Sequence, residues 1–415
     1  MRRYVALLAV LAGCSFGAPA SQSTDGSAID ARATTDSEGS PLDGASHPDD
    51  ASDPAADATV ADAFVAVPDA PQCFGSGFGM LCLTNPPSGT RTLTTAVFDT
   101  DGPDCTELVT SGGASVCVIA AVDVTVPLGA VFRAIGSRPL AIVASHDLVV
   151  TGVVTVSSLH GQIKPGAGSG IGACALGAGP EQDDGGAGGG AGGSFSGVGG
   201  SGGDGDKNFS AGLNFDGLGA RGAAAADAPT SIRGGCPGTA GGRGYGDATT
   251  IGAPGAGGGG MYLVAGNQIT LSGGLYAAGR GGDGSAAEAG GSGGGSGGLV
   301  GLDAPTITVG ATAILDANGG AGGEGATNDS HICAAGSDGS GSSTPALGGR
   351  APSNDGNNDG GNGGVGTAGA LRSGGRGFDD DGGAGGGGGS AGVIYAKGAV
   401  SGSAALVTPP ATVVP

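Results

Sequence analysis

The sequence has few of the side chains that usually fill a core or bind nucleic acid. Tryptophan is absent, and aromatic residues make up only 4% of the chain. A core must therefore be built mainly from Val, Ile, Leu and Ala. Basic residues are also scarce, because 16 Lys and Arg stand against 37 Asp and Glu, giving a formal charge of −21. Nucleic-acid binding needs a basic face, so nucleic acid is excluded as an expected partner.

Paired metal-binding cysteines are missing as well. The 8 cysteines include no CxxC pair, and the 4 histidines do not cluster with them. A zinc site built on cysteine is therefore the less favoured interpretation. Sparse cysteines in an exported chain favour disulfides instead.

The N-terminus has the features of an export signal. Arg2 and Arg3 precede the apolar stretch Tyr4–Ala12, which is too short to span a bilayer. The stretch ends in "LAGC", Leu11–Cys14, which resembles the lipobox of bacterial lipoproteins. The resemblance implies that residues 1–14 are a lipoprotein signal peptide and that Cys14 is lipidated. The alternative is an ordinary signal peptide with an incidental cysteine.

The lipobox resemblance also implies a location. Ser15 follows the cysteine and is not an inner-membrane retention signal by the usual sorting rules. We therefore expect a protein anchored in the outer membrane by its lipid, at the cell surface or, alternatively, at the periplasmic face.

Residues 15–72 have the composition of a disordered tether. They are rich in Ala, Ser, Asp, Thr and Pro, and contain eleven acidic residues against one basic residue, Arg32. Low hydrophobicity and like charges favour disorder, and scattered Pro extends such a chain. The tether is predicted to hold the folded part away from the membrane.

The folded part contains an internal repeat. The segment "MYLVAGNQITLSGGLYAAG", which begins at Met261, aligns without gaps with Leu140–Ser158. It also aligns with Leu299–Gly319, where Leu302 is placed opposite Val264 and Ile307 opposite Ile269. Related copies are predicted at Val116–Gly136, in shortened form at Gly392–Val407, and in part at Arg91–Asp101.

Each copy has the pattern of three short strands with alternating apolar residues. Repeats that cannot bury their own apolar face indicate a stacked array. We therefore predict an all-β fold, a right-handed parallel β-helix-like stack with long glycine-rich loops; the alternative is an antiparallel β-sandwich. The predicted strand regions are the N-terminal strands 73–160, the repeats 259–279 and 297–319, and the final strands 390–415.

Glycine, with 98 residues, is the most over-represented residue type. Glycine-rich insertions cover 161–258, 280–296 and 320–389, each placed after the third strand of a copy. Strict glycine at every third position is missing, so the insertions are not collagen-like. They are either disordered or packed as polyproline-II-like strands, since glycine lets backbones approach closely.

The cysteines of the exported part suggest three disulfides. The candidate pairs are Cys73 with Cys82, Cys105 with Cys117, and Cys174 with Cys236. Cys333 is then left over, either unpaired or joined to one of the last two.

Two acidic residues occupy equivalent positions in consecutive copies and are the candidate catalytic pair. Asp123 and Asp147 would lie about 4.8 Å apart in a parallel stack, with His146 beside them. Two carboxylates at that distance suit the acid–base chemistry of a carbohydrate-active enzyme. Later copies place Gln268 and Thr306 at this position, which instead indicates a row of polar turn residues.

A second acidic cluster is a candidate calcium site. The segment "DTDGPD" contains Asp99, Asp101 and Asp104, and "NDGNNDGG" at 354–361 is similar. Calcium takes six to eight oxygen ligands, and neither segment has the full loop with a terminal Glu. An Asx-rich turn is the alternative, and no other cofactor is expected.

The chain as a whole resembles a group of uncharacterised glycine-rich predicted lipoproteins that are abundant in myxobacterial genomes. The resemblance rests on the lipobox, the acidic tether, "CFGSGFGMLCL" at Cys73–Leu83, the motif "GGMYLVAGNQITLSGGLYAAG" at Gly259–Gly279 and the glycine-rich insertions. The group has no assigned activity, so the resemblance implies an architecture and a location but no reaction.

The predicted function is that of a non-enzymatic bacterial cell-surface lipoprotein, structural or adhesive, which displays glycine-rich loops on a β-array. Its expected partners are the membrane, through the lipid anchor, and extracellular polysaccharide or another cell-surface partner. One alternative is a β-helix polysaccharide lyase or glycoside hydrolase. A second is a passive envelope spacer or coat protein.

Overall fold

The computed structural model describes most of the chain beyond the tether. The described residues are 71–170, 174–183, 185–205, 217–225, 229–244, 251–326, 333–350, 360–378 and 382–414. The predicted lipidation site Cys14 and nearly all of the tether lie outside them. Every regular element in the described residues is a strand, which confirms the all-β prediction. These residues include no helix long and apolar enough to cross a bilayer.

The strands are short, and most span three to six residues. In chain order they are β1 (Gln72–Phe74), β2 (Leu81–Leu83), β3 (Thr90–Thr92), β4 (Ala96–Asp99), β5 (Glu107–Ser111), β6 (Ala114–Ala121), β7 (Asp123–Val126), β8 (Val131–Ile135), β9 (Leu140–Ala144), β10 (Asp147–Val150), β11 (Val153–Thr155), β12 (Gly260–Ala265), β13 (Gln268–Leu271), β14 (Gly274–Tyr276), β15 (Leu299–Val309), β16 (Ile314–Asp316), β17 (Val393–Gly402), β18 (Leu406–Thr408) and β19 (Thr412–Val414).

Two mostly parallel sheets carry the repeats. The larger has the order β3-β7-β10-β13-β15-β12-β9-β6-β5, with β17 beside β15 and β19 beside β17. The smaller has the order β18-β16-β14-β11-β8-β4. Among the described strands, only β1–β2 and β5–β6 pair antiparallel. An antiparallel sandwich would instead be built mainly from antiparallel strand pairs.

The strand register agrees with the sequence repeat at most positions. Leu148 pairs with Ile269, as the gapless alignment predicts. One predicted pair is wrong: Leu302 lies opposite Leu263, not Val264. The third copy has one residue fewer between its first two strand positions, since β15 runs straight through the corner where the second copy turns between β12 and β13.

Equivalent side chains of successive copies stack into an aliphatic core between the two sheets. Side chains at paired positions form rows that run across neighbouring strands. One such row consists of Ile119, Ile142, Leu263, Leu302 and Ala396, all buried. Burying one large aliphatic side chain contributes about 1.5–3 kcal/mol, so the row is a major stabilising element.

The described parts of the glycine-rich insertions form a packed body in place of exposed loops. Most of their glycines are buried and donate backbone hydrogen bonds to other glycine segments. The partners advance in steps of three, as in Ala187 to Glu288, Gly190 to Gly291, and Gly193 to Gly294. Three residues per turn is the repeat of polyproline II, so the packed alternative is the one observed in these residues.

This packing explains the need for glycine at particular positions. A Cβ atom on Gly293 would lie 1.9 Å from the carbonyl oxygen of Ala191, and one on Gly189 would lie 2.0 Å from that of Gly385. Neither contact is sterically possible. The segments therefore approach at backbone distance, which only glycine allows.

The three predicted disulfides are confirmed. Cys73 is joined to Cys82, Cys105 to Cys117, and Cys174 to Cys236. The first closes the β1–β2 hairpin. The third links two segments within the longest glycine-rich insertion. Cys333 lies outside these three bridges.

Candidate functional site

The two predicted catalytic carboxylates meet a histidine at one corner of the larger sheet. Asp123 begins β7 and Asp147 begins the neighbouring parallel strand β10, with His146 in the turn before it. The Nδ1 atom of His146 lies 3.1 Å from Oδ1 of Asp123 and 3.5 Å from Oδ2 of Asp147. We call these three residues the Asp–His–Asp corner.

The surroundings of the Asp–His–Asp corner orient its carboxylates. The backbone N–H of Asp147 donates to Oδ1 of Asp123 at 3.2 Å. The side-chain amide of Asn267 donates to Oδ1 of Asp147 at 2.7 Å, and that of Gln268 reaches Oδ2 at 3.4 Å. Gln268 and Thr306 continue the row in the next strands, as the alignment predicts.

The Asp–His–Asp corner is exposed to solvent. The side chains of His146, Asp123 and Asp147 are 58%, 39% and 26% exposed. One ligand atom from each lies within 4.8 Å of the others, a grouping that could hold a metal ion. None of the three lines the cavity described below. The corner has the donors of a cation site more clearly than the enclosed geometry of a hydrolase cleft.

The candidate calcium residues have protein partners. Nζ of Lys164 lies 2.8 Å from Asp99 and 3.3 Å from Asp101. The hydrogen bond from Lys164 lowers the pKa of Asp99, and the hydrogen bond from the Ser137 hydroxyl lowers that of Asp101. Asp104 is exposed near the end of the same loop. A lysine that already neutralises two carboxylates favours the polar-turn alternative over a calcium site.

A cavity of about 330 Å³ lies on the outer side of the larger sheet. It is bordered by the β1–β2 hairpin, by β17 and β19, and by parts of the glycine body, and it is partly open to solvent. Its lining residues are Gly77, Phe78, Phe195, Ser196, Pro229, Arg372, Val393, Ile394, Tyr395 and Thr412. We call it the aromatic cavity, because Phe78, Phe195 and Tyr395 contribute rings to it in a chain that has few aromatic residues.

A buried carboxylate fixes the hairpin that forms one wall of the aromatic cavity. Asp303 is 8% exposed. Its Oδ2 accepts the backbone N–H groups of Ser76 at 2.7 Å and Gly77 at 3.0 Å, and also the hydroxyl of Tyr262. Burial and then the hydrogen bond to Asp303 raise the pKa of Tyr262, so this hydroxyl remains a neutral donor. Phe78 is thereby held in place at the hairpin tip.

The polar groups of the aromatic cavity are few and lie near its rim. Arg372 is exposed, and its guanidinium lies 3.4 Å from the Ser196 hydroxyl. Behind the opposite wall, Arg233 sits over the Phe195 ring, 4.9 Å from its centroid. Burial lowers the pKa of Arg233. Ligand sites commonly combine such an apolar interior with a few polar groups that fix orientation.

Sequence reasoning missed the aromatic cavity because its residues come from remote segments. A usable signal was present in the repeat. In the strand register, Tyr262, Gly301 and Tyr395 occupy one row on neighbouring strands. A glycine between two tyrosines, in a chain with only 5 tyrosines, indicates a gap into which another ring can insert.

The chain matches no protein-family model, no curated protein and no solved structure.

Proposed function

We propose that this protein is a non-enzymatic lipoprotein of the bacterial outer membrane that binds extracellular polysaccharide at the cell surface. The lipobox at Leu11–Cys14 and the acidic tether support the anchor and the spacing from the membrane. Two lipid signals suffice for stable anchoring, and a lipobox cysteine receives more than one acyl chain.

The proposed scaffold is a right-handed parallel β-helix. Its support is the repeated parallel pairing of equivalent positions, with three strands in each of the copies that begin with β6, β9 and β12. In the copies that begin with β15 and β17, the first two strands have merged into one. A rigid stack of this kind places a binding site on strands, where its geometry is better fixed than on loops.

The aromatic cavity is the observation that supports binding. Its lining is largely apolar, Tyr395 is the most exposed of its three aromatic side chains, and Arg372 and Ser196 supply donors at the rim. The volume of about 330 Å³ lies at the lower end of the range for ligand pockets, so we propose that it receives a terminal or single sugar unit of a longer chain.

The two alternatives make different demands on the structure. A polysaccharide lyase or glycoside hydrolase would use Asp123 and Asp147, which lie on an open corner away from the aromatic cavity. A passive spacer or coat protein needs no cavity. The adhesive interpretation is preferred because it gives the aromatic cavity a role.

The test is binding of the purified protein to a panel of bacterial and matrix polysaccharides. Tyr395→Ala and Arg372→Ala should each weaken binding by about tenfold or more, since about 1.4 kcal/mol corresponds to tenfold. Arg376→Ala is the matched control, because Arg376 is also exposed but bonds Asp204 outside the cavity. No binding by the wild type would favour the coat protein, and equal binding by all variants would place the polysaccharide outside the aromatic cavity. Shortening of the polysaccharide would favour the enzyme.

A further inference from the structure

We propose that the Asp–His–Asp corner is a binding site for a divalent transition-metal ion of the zinc type. The ligands are Oδ1 of Asp123, Nδ1 of His146 and Oδ2 of Asp147. This inference is independent of polysaccharide binding, because the corner and the aromatic cavity have no residue in common.

Two carboxylates converge on one ring nitrogen in the Asp–His–Asp corner. Both acidic oxygens approach the same atom, Nδ1 of His146, at 3.1 and 3.5 Å. If Nδ1 is protonated, its one hydrogen goes to Oδ1 of Asp123, and Oδ2 of Asp147 receives no hydrogen bond from the ring. An unprotonated Nδ1 would direct its lone pair at two other acceptors. A cation between the three atoms removes this conflict.

The distances fit a zinc-type ion. Zinc binds His nitrogen and Asp oxygen at about 2.0–2.2 Å, which in tetrahedral geometry puts neighbouring ligand atoms about 3.3–3.5 Å apart. The two separations at Nδ1, 3.1 and 3.5 Å, lie at or close to that range, and all three ligand atoms lie within 4.8 Å of one another. Three protein ligands and an exposed surface leave a fourth position for water. Calcium is not favoured, because it takes six to eight oxygen ligands.

A second acidic histidine cluster in the same chain lacks this convergence. His160 places Asp338 at Nδ1, 2.6 Å away, and Asp283 at Nε2, 3.0 Å away. Arg280 also pairs with Asp283. Since the two ring nitrogens point in different directions, one ion cannot contact both carboxylates and a nitrogen. His160 is therefore a bridge between segments, and it provides an internal control.

The outer contacts of the Asp–His–Asp corner also suit a metal site. Asn267 holds Oδ1 of Asp147, so that Oδ2 faces His146. The backbone N–H of Asp147 holds the Asp123 carboxylate. Such outer contacts orient the ligands of metal sites, and their loss typically weakens binding 10–100-fold.

The experiment is titration of the metal-free, full-length protein with zinc chloride by isothermal calorimetry, followed by cobalt(II) titration monitored by visible absorption. We expect saturable binding of about one ion, with the intense cobalt bands of a four-coordinate site. His146→Gln and Asp147→Asn should remove this binding, and Asn267→Ala should weaken it about 10–100-fold. His160→Gln should leave it unchanged.

The corner side chains are exposed, so their variants should fold normally, and thermal melting of each variant checks this. Wild-type affinity in a folded His146→Gln variant would place the ion elsewhere and overturn the proposal. Absence of saturable zinc binding by the wild type would also overturn it. Loss of binding in His160→Gln but not in His146→Gln would assign the ion to the other cluster, which contradicts the argument from convergence.

Discussion

The Phe78 ring inserts between Tyr262 and Tyr395, which lie on different strands of the larger sheet. It meets Tyr395 edge-on, with the ring centroids 4.6 Å apart. On its other side it meets Tyr262 at 5.8 Å. Gly301 lies between the two tyrosines in the strand register and leaves the space that Phe78 occupies. The hairpin tip, the repeat and the aromatic cavity are therefore one packed unit.

Gly301→Ala tests that unit. A Cβ atom at Gly301 would lie 2.7 Å from Cδ2 of Tyr262 and 3.2 Å from Cε2 of Phe78. Overpacking of this kind costs about 1–3 kcal/mol of unfolding free energy, and it should also displace Phe78 and weaken ligand binding. Urea unfolding measures the stability. Gly179→Ala is the control, since an added Cβ at Gly179 meets nothing within 4 Å.

Asp303→Asn should loosen the hairpin more than the array. Asparagine can place one oxygen where Oδ2 of Asp303 accepts from Ser76, Gly77 and Tyr262, but it lacks the negative charge that strengthens these hydrogen bonds. Weakening hydrogen bonds to a buried charged group costs about 1.5–3 kcal/mol. Limited proteolysis should cut the variant between residues 74 and 81 faster than the wild type. An unchanged cleavage rate there would mean that the disulfide alone fixes the hairpin.

The glycine body should be as well ordered as the strands. Amide hydrogen exchange is expected to be slow at residues 187–193 and 290–298, because their N–H groups are buried and bonded across segments. Gly293→Ala should destabilise the protein severely, since the new Cβ would lie 1.9 Å from a carbonyl oxygen. If the amide hydrogens exchange at the rate of an unstructured chain, and Gly293→Ala leaves the stability unchanged, these segments are loops.

Asp316 should make the protein more stable in mild acid than above neutrality. Its side chain is fully buried, its Oδ2 has no hydrogen-bond partner within the described residues, and burial raises its pKa to about 7. Between about pH 4 and pH 7 the folded state holds a proton that the unfolded state has lost, so stability falls as pH rises through that window.

The raised pKa of Asp316 corresponds to a loss of unfolding free energy on the order of 4 kcal/mol. This loss is complete above about pH 7. Urea midpoints between pH 5 and pH 8 should show about two-thirds of it, since about two of the three pH units of the window lie above pH 5. Asp316→Asn should flatten the curve and stabilise the protein at pH 8. Asp104→Asn, at an exposed position, should keep the wild-type slope. A wild-type slope in Asp316→Asn would assign the pH dependence to other groups.

The sequence predicts the strand array well because each prediction depends on local alternation and on equal spacing. Leu148 and Ile269 are paired for that reason, and Asp123 and Asp147 are neighbours for the same reason. The alignment failed at Leu302, where a turn is replaced by continuous strand and the spacing shortens by one residue.

The glycine body and the aromatic cavity could not be predicted in the same way. Ala187 bonds Glu288 and Ala384 bonds Ala187, and no local pattern relates such distant segments. The walls of the aromatic cavity likewise come from Phe78, Phe195, Arg372 and Tyr395. Only the fold brings them together, so their residues carry no recognisable spacing in the chain.

Display at the cell surface is the central claim, and protease digestion of intact cells tests it most directly. An external protease is added, and residues 73–415 are followed by immunoblot beside a periplasmic control protein. The account predicts that the band is lost while the control survives, and that Cys14→Ala releases the protein from the membrane fraction. Survival of the band until the outer membrane is permeabilised would contradict surface display and place the aromatic cavity in the periplasm.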